Sequence, residues 1–365
     1  MPEYRQYELG SVCSRLSSGK GIPASQVFSE GAFPVYGGNG LRGYTAHSNF
    51  RGDCAIIGRQ GAFCGNVRYF SGEAYMTEHA VVVCANESHN THYLAYLLSQ
   101  MNLGRLSGQS AQPGLSVKTL AKQIIELPPL DVQNKVVAVL SSFDSKIALN
   151  EKINDNLEQQ AAAFFSSLYN RSNTKVRFTD LIQILGGGTP KTGENAYWNG
   201  NIAFFTPKDV GTPYTLITEK AITEEGLSHC NSRLYPVNTV FVTARGTVGK
   251  VGMSGVPMAM NQSCYALVGK ETHQLLVYFY ALKAVDRLKH KASGAVFDAI
   301  TTRDFDSEQI MKLSDDDAKA FLCIAEPIFQ KVLNNCIENL RLSTLRDSLL
   351  PKLMSGELDV SAVQL

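Results

Sequence analysis

Between Pro129 and Leu168 the chain runs without a second proline or a glycine, and this stretch restricts the fold more than any other. From Val136, apolar or small residues recur at Leu140, Phe143, Ile147, Leu157, Ala161, Phe164 and Leu168, with Asn150 and Asn154 filling the gap. Steps of four and three mark the seam of a coiled-coil helix, here roughly 55–60 Å long at about 1.5 Å per residue. A helix of that length with one apolar stripe needs a partner to cover it. The same steps return at Phe321, Ala325, Ile328 and Val332 and again at Leu342, Leu349 and Leu353, displaced by 185 residues. The two segments are expected to pair, and helices joined through a folded globule most simply run antiparallel. Asn150, Asn154, Asn335 and Asn339 fall on the seams. They mark either a wet, loosely packed stretch or buried amides that select one register.

The displacement extends beyond the helices. Arg51-Gly-Asp-Cys-Ala-Ile-Ile-Gly-Arg-Gln-Gly faces Pro236-Val-Asn-Thr-Val-Phe-Val-Thr-Ala-Arg-Gly, and Gly65-Asn-Val faces Gly249-Lys-Val. Thr77-Glu-His-Ala faces Met260-Asn-Gln-Ser, and Leu115-Ser faces Ile300-Thr, all 183 to 185 residues apart. A period this long points to two copies of a whole domain rather than a solenoid. The expected class is α+β, with a strand-rich globule at 1–128, a helix within 129–174, a second globule at 175–312 and a second helix within 313–365. Asp53–Gly58, His79–Ala85, Thr239–Ala244 and Ser263–Val268 read as strands, and Tyr93–Met101 and Leu275–Lys289 as single helices. Gly37-Gly38-Asn39-Gly40 and Gly186-Gly187-Gly188 mark turns or close backbone approach. The loops Ser107–Pro113 and Ser293–Ala299 are equivalent, and Gly108 and Gly294 allow a tight turn or a close pass beside phosphate. Asp315-Asp316-Asp317 complements a helix N-terminus. Gly356 ends that helix, and Glu357–Leu365 is expected to fray.

Composition narrows the setting. With 44% hydrophobic and 18% charged residues the chain is of the soluble globular class. The start, MPEYRQYELG, has no signal-peptide pattern, and no run nears the roughly 18 apolar residues of a membrane span. Eight cysteines without a CxxC pair are expected as buried free thiols in a reducing cytoplasm. The globular stretches carry a net +5 and the helical ones −4 within an overall +1. Mildly basic globules permit phosphate contacts without demanding them.

Three separated motifs carry a resemblance. Leu185-Gly-Gly-Gly-Thr-Pro-Lys followed by Tyr197-Trp198-Asn-Gly-Asn-Ile-Ala-Phe-Phe-Thr-Pro207-Lys208-Asp209 resembles the opening of a target recognition domain of type I restriction–modification specificity subunits. Pro34-Val-Tyr-Gly-Gly-Asn-Gly-Leu-Arg-Gly-Tyr44 with Gly58-Arg-Gln-Gly-Ala resembles a second flavour of that domain. Leu345-Arg-Asp-Ser-Leu-Leu-Pro-Lys-Leu-Met-Ser-Gly-Glu357 is similar to the family's closing helix. The resemblance implies two target recognition domains separated by an antiparallel coiled-coil pair. It also implies a non-catalytic subunit that reads a bipartite double-stranded DNA target. Its partners would be two methyltransferase subunits and, through them, restriction and translocase subunits, with no cofactor, metal or membrane. The first globule lacks the second one's GGTP, YW and PKD elements, as two domains reading different sequences would.

Side chains beside glycine turns project without a packing duty, and pairs of hydrogen-bonding groups read base edges while cations and hydroxyls hold phosphate. The first-globule candidates are Lys20, Tyr36, Asn39, Arg42, Tyr44, Arg59, Gln60 and Arg68. Those of the second are Thr189, Lys191, Tyr197, Lys208, Arg245, Lys250, Asn261, Gln262 and Arg303. Gln60 and Gln262 suit adenine, and Arg59 and Arg245 suit guanine. Trp198, Pro207 and Asp209 read as architectural.

Readings as an enzyme are thin. Gly38-x-Gly40-x-x-Gly43 matches the dinucleotide fingerprint, but no buried strand runs into it and no helix follows. Gly246-Thr-Val-Gly-Lys-Val lacks the spacing and hydroxyl of a P-loop, and Leu127-Pro-Pro-Leu130 lacks the flanks of an amino-methyltransferase pocket. His89 and His92 have no second cluster to complete a four-ligand site. The alternative class is a nucleotide- or sugar-processing enzyme whose glycine turns cradle phosphate and whose repeat is a fused dimer.

Overall fold

The computed structural model describes residues 3–107, 114–211, 213–291 and 299–360; Gly108 and Gly294, with most of their loops, lie outside them. The chain divides into two compact units, one of residues 1–146 with 342–365 and the other of residues 147–341. The central helix spans Leu130–Arg171 and the C-terminal helix Asp315–Met354, so each helix contributes to both units.

The first unit is built on a six-stranded sheet, ordered Cys13–Ser18, Ala80–Ala85, Phe50–Gly58, Val67–Met76, Phe33–Gly37, Gly40–Thr45. Neighbours are antiparallel except Phe33–Gly37 against Val67–Met76. Side chains alternate between faces along a strand. Ile57, Val81 and Val83 face the helix Thr91–Ser99, while Cys54, Ile56 and Val82 join Phe50, Ala74 and Met76 in a smaller core. That helix starts at Asn90, whose side chain accepts from the His92 and Tyr93 amides at 2.8 and 3.0 Å, an N-cap. Buried Gln133 accepts from the Asn90 amide at 2.9 Å and donates to the Pro128 carbonyl at 2.8 Å, tying the cap to the central helix. Val136 and Leu140 share one core with Leu350, Leu353 and Met354, and Arg346 pairs with Asp144 at 2.5 Å. Gly356 follows the helix end in the left-handed region (φ +75°). Fraying does not begin there, because Val360 is buried in the same core.

The second unit holds a five-stranded sheet, ordered Ile182–Gly186, Cys264–Gly269, Val240–Thr243, Val251–Ser254, Tyr214–Thr215. A three-stranded sheet lies beside it, ordered Lys220–Ile222, Trp198–Phe205, Met258–Met260. The helix Gln274–Lys291 is buried without a break from Leu275 to Ala281, since its faces meet both the sheet and the long-helix segments. Phe165 stands at that junction, with ring centroids 4.9 Å from Phe279, 5.5 Å from Tyr280 and 5.4 Å from Phe321. It is fully buried, whereas Phe164 is only partly so. Ala161 and Leu168 are buried as expected, and the stripe widens to take in Phe165, because a third helix must also be covered.

The long helices are antiparallel in both units. Asn335 donates to Asn154 at 2.8 Å, Asn150 donates to Asn339 and to Glu338 at 2.8 Å each, and Arg171 pairs with Asp317. Asn150, Asn154 and Asn335 are buried. Of the two readings of these amides, the paired and buried one describes the structure.

Each globule follows one plan. Four strands repeat in the same sheet order: Cys13–Ser18, Ala80–Ala85, Phe50–Gly58 and Val67–Met76 correspond to Ile182–Gly186, Cys264–Gly269, Val240–Thr243 and Val251–Ser254. Each globule also opens and closes on one antiparallel pair, Arg5–Glu8 with Ile124–Leu127 and Thr174–Arg177 with Gln309–Lys312. The constant displacement needs correction. The Thr77 amide donates to the Tyr36 carbonyl, and the Asn261 amide donates to the Phe205 carbonyl, both at 2.9 Å. Tyr36 and Phe205 are therefore equivalent at a displacement of 169, against 184 for Thr77 and Asn261. The second globule carries the difference between Phe205 and Pro236, where Tyr214–Thr215, Lys220–Ile222 and Glu224–Ser228 lie.

All eight cysteines are free. Cys54 and Cys264 are buried, with thiols pushed up to about 12 chiefly by burial; Cys323 is exposed, contrary to expectation. On the central helix, burial first and Asp155 second push the Glu158 carboxyl up to about 7. A raised carboxyl favours the protonated folded state, so its support is complete below the ordinary value of 4.5 and is lost as pH rises through about 7. Glu158→Gln is expected to remove that slope. It should gain on the order of 2 kcal/mol over the unaltered chain at pH 8 and nearly nothing at pH 4, read by melting at the two pH values.

Candidate nucleic-acid interface

In the first globule the strands Phe33–Gly37 and Gly40–Thr45 meet in a turn at Gly38-Asn39. A Cβ on Gly38 would lie 2.9 Å from the His79 carbonyl oxygen and 3.4 Å from the Gly58 Cα, so backbone packs directly on backbone. The Arg59 amide donates to that same His79 carbonyl at 2.9 Å. The Arg42 side chain lies over Gly37 and the Arg68 guanidinium over Gly40. Burial pushes the Tyr36 phenol up, with Tyr44 adding and Arg68 opposing, which places these three side chains near one another. The Lys20 amide donates to the Met76 carbonyl at 3.0 Å, next to Thr77. Lys20, Tyr36, Asn39, Arg42, Arg59, Gln60 and Arg68 thus lie on or beside one turn, while Tyr44 stands further along the strand, its amide donating to the Phe28 carbonyl at 2.8 Å. Among the described residues, Lys20, Arg42, Arg59 and Arg68 form no ion pair; Lys20, Arg42 and Arg68 are exposed and Arg59 is half-buried.

In the second globule Thr206-Pro207-Lys208-Asp209 follows Phe205 as Gly37–Gly40 follows Tyr36. The two unlike motifs therefore hold one place in the plan. Asp209 accepts from the Thr206 amide and hydroxyl at 2.8 and 2.6 Å and from the Glu219 amide at 2.7 Å. Its carboxylate shapes the loop from within. Thr247 donates to the Pro207 carbonyl at 3.1 Å, setting this loop against the Arg245-Gly246 turn. Lys208 is exposed and pairs with Glu219 at 3.6 Å; Lys250 and Arg245 are exposed as well. A Cβ on Gly187 would stand 2.1 Å from the Asn261 carbonyl oxygen, so the glycine run lies flat on that strand end. Thr189 donates to Gln262, and Asn261 accepts from the Ser263 amide at 3.0 Å. The Trp198 indole donates to the Lys191 carbonyl at 3.1 Å, meets Phe204 edge-on at 5.5 Å and carries Lys220 over its face.

Two candidates stand apart. Tyr197 stacks on His229 with centroids 4.8 Å apart, above the helix Glu224–Ser228, so its ring serves packing. Arg303 lines a separate pocket with Thr179, Gln183, Lys270 and Asp306. His79 was missed: it is partly exposed beside the first turn and pairs with Glu78 at 3.1 Å. The repeat in the residues sets Thr77-Glu-His beside Met260-Asn-Gln, but the backbone register pairs Thr77 with Asn261 and His79 with Ser263, one residue further on.

His92 is stacked between Tyr69 at 3.6 Å and Tyr96 at 4.6 Å, and His89 Nδ1 lies 2.8 Å from the Asn86 side-chain oxygen. Among the described residues, no three His, Cys, Asp or Glu side chains gather as a metal site, and no helix is long and apolar enough to cross a membrane.

Comparison with known proteins agrees with this plan. A family model described as "Type I restriction modification DNA specificity domain" matches twice, over residues 1–159 and 170–312. The EcoprrI type I restriction enzyme specificity subunit of Escherichia coli is 36% identical over 147 residues, 39% of this chain and 36% of that protein. The MjaIX specificity subunit of Methanocaldococcus jannaschii is 31% identical over 127 residues, 33% of this chain and 29% of that protein. The match therefore spans about a third of the length of these two relatives. A putative type I specificity subunit of Mycoplasma pneumoniae, S.MpnORF507P, is 23% identical over 84% of both chains. The crystal structure of a type I restriction–modification S subunit from M. genitalium superimposes with a TM-score of 0.64 over 96% of each chain, at 14% identity, a likeness of fold. With the specificity domain present twice and filling both globules, the chain belongs to the type I restriction–modification specificity subunits.

Proposed function

We propose that this chain reads a bipartite double-stranded DNA target, each globule gripping one half-site. The long-helix pair sets the gap between half-sites and docks two methyltransferase subunits, through which restriction and translocase subunits join. The chain performs no chemistry itself and works in the cytoplasm. One observation carries this reading: two globules of one plan present different side chains at the same turn, flanked by exposed cations. Tethered modules of this kind make the second binding event intramolecular and raise apparent affinity without new contacts. Half-site spacing then follows from geometry.

The test is duplex binding by the chain together with its methyltransferase partner, measured by gel shift at roughly 50 and 200 mM salt. Six or more phosphate contacts would lower affinity by about a thousandfold or more over that range. Binding that ignores salt, or no binding with the partner supplied, would overturn the proposal.

A further inference from the structure

Gln60 and Arg245 hold one position in the two globules. Gln60 bridges Gly114 in antiparallel fashion, and Arg245 bridges Ala299 in the same way. The preceding carbonyls, of Arg59 and Ala244, accept from the Leu115 and Ile300 amides at 2.8 and 2.9 Å. The preceding amides donate across to His79 and Ser263 at 2.9 and 2.8 Å. Backbone hydrogen bonds therefore hold each position from both sides. A left-handed glycine follows in each case, Gly61 at φ +77° and Gly246 at φ +81°. Both side chains are exposed and, among the described residues, neither has a hydrogen-bond or ion-pair partner.

A fixed backbone with an exposed side chain is the arrangement a reading position needs, because an accurately held contact is what discriminates. The two residues present different paired groups. A glutamine amide matches the N6/N7 edge of adenine, and a guanidinium matches the O6/N7 edge of guanine. We infer that Gln60 and Arg245 are equivalent base-reading residues, Gln60 choosing an adenine in one half-site and Arg245 a guanine in the other. This rests on the proposed reading of a bipartite target. It goes further in assigning one base of each half to one side chain. Arg42 and Arg68 around the first turn, and Lys208 and Lys250 around the second, hold the backbone while these two residues read.

The experiment selects bound duplexes from a randomised library with the chain in complex with its methyltransferase subunits. The unaltered chain is compared with Gln60→Arg, Gln60→Ala, Arg245→Gln and Arg245→Ala. Gln60→Arg should turn one adenine of one half-site into guanine and leave the other half-site unchanged. Arg245→Gln should make the reciprocal change in the other half. Each alanine variant should flatten the same single position, losing about 5- to 150-fold in discrimination there. If preferences stay as they were, or both halves change, or affinity falls equally for all sequences, the assignment is wrong. Failure of the broader reading looks different: the unaltered complex would then select no bipartite sequence at all. Both side chains are exposed, and matched melting temperatures across the five proteins exclude misfolding as the cause.

Discussion

Phe165→Ala is expected to destabilise the second unit by about 3–5 kcal/mol, measured as a lowered midpoint in chemical denaturation. Four rings meet this side chain: Tyr169 at 5.6 Å, Phe279 at 4.9 Å, Tyr280 at 5.5 Å and Phe321 at 5.4 Å. They belong to three helices, so no single segment can move in to fill the space. Truncation costs the transfer of a ring plus the cavity it leaves, and the cavity part is largest where the surroundings cannot collapse. Phe164→Ala supplies the control. That ring is partly exposed and lies 6.1 Å from Phe321, its one ring neighbour among the described residues. A loss of about 1–2 kcal/mol is expected there. Equal losses at the two positions would mean that the seam runs through Phe164 and that the helix Gln274–Lys291 is not packed on it.

The second large effect lies in the seam's polar stretch. Asn335→Ala removes the donor that meets Asn154 at 2.8 Å and leaves a buried amide oxygen without a partner. An orphaned polar group of this kind costs about 1–3 kcal/mol, and the small cavity adds to it. Replacing Asn154 and Asn335 together with leucine removes both polar groups and fills the volume. The double variant is expected to be at least as stable as the unaltered chain in the same urea titration. What it loses is selectivity, since an apolar seam fits several registers and a paired amide fits one. A double variant less stable than Asn335→Ala would show that the amides stabilise the pair rather than select its alignment.

Much of this architecture was legible in the residues. The two seams follow from spacing alone, and the strand expectations around Asp53–Gly58 and Ser263–Val268 fall within a residue or a few of Phe50–Gly58 and Cys264–Gly269. Periodicity could not choose between Phe164 and Phe165, because a two-helix spacing carries no information about a third helix arriving from residues 274–291. The change of displacement was hidden for a different reason. Gly37–Gly40 and Thr206–Asp209 share no identity, and only the amides of Thr77 and Asn261 reveal that they stand in one place. Binding candidates chosen from turn chemistry came together where glycine forces backbone onto backbone, as at Gly38 and Gly187. Tyr197 and Arg303 did not, since an aromatic can stack on a neighbouring histidine and an arginine can line a local pocket without any signal in spacing.

Paired terminal strands give each globule a doorway. Arg5–Glu8 lies beside Ile124–Leu127 and Thr174–Arg177 beside Gln309–Lys312, so the chain enters and leaves at the same sill. The segment between the two doorposts is expected to be exchangeable as a cassette, provided that the incoming one ends on the same pair of strands and brings a helix that packs on the long-helix segments as Leu275–Ala281 does. The difference in length that follows Tyr36 and Phe205 illustrates the freedom: the second globule houses extra strands and a helix, yet its doorway keeps four paired residues, as the first one does. Recombination within such a boundary can rewrite the exposed turns while the buried helix faces keep their fit to the framework.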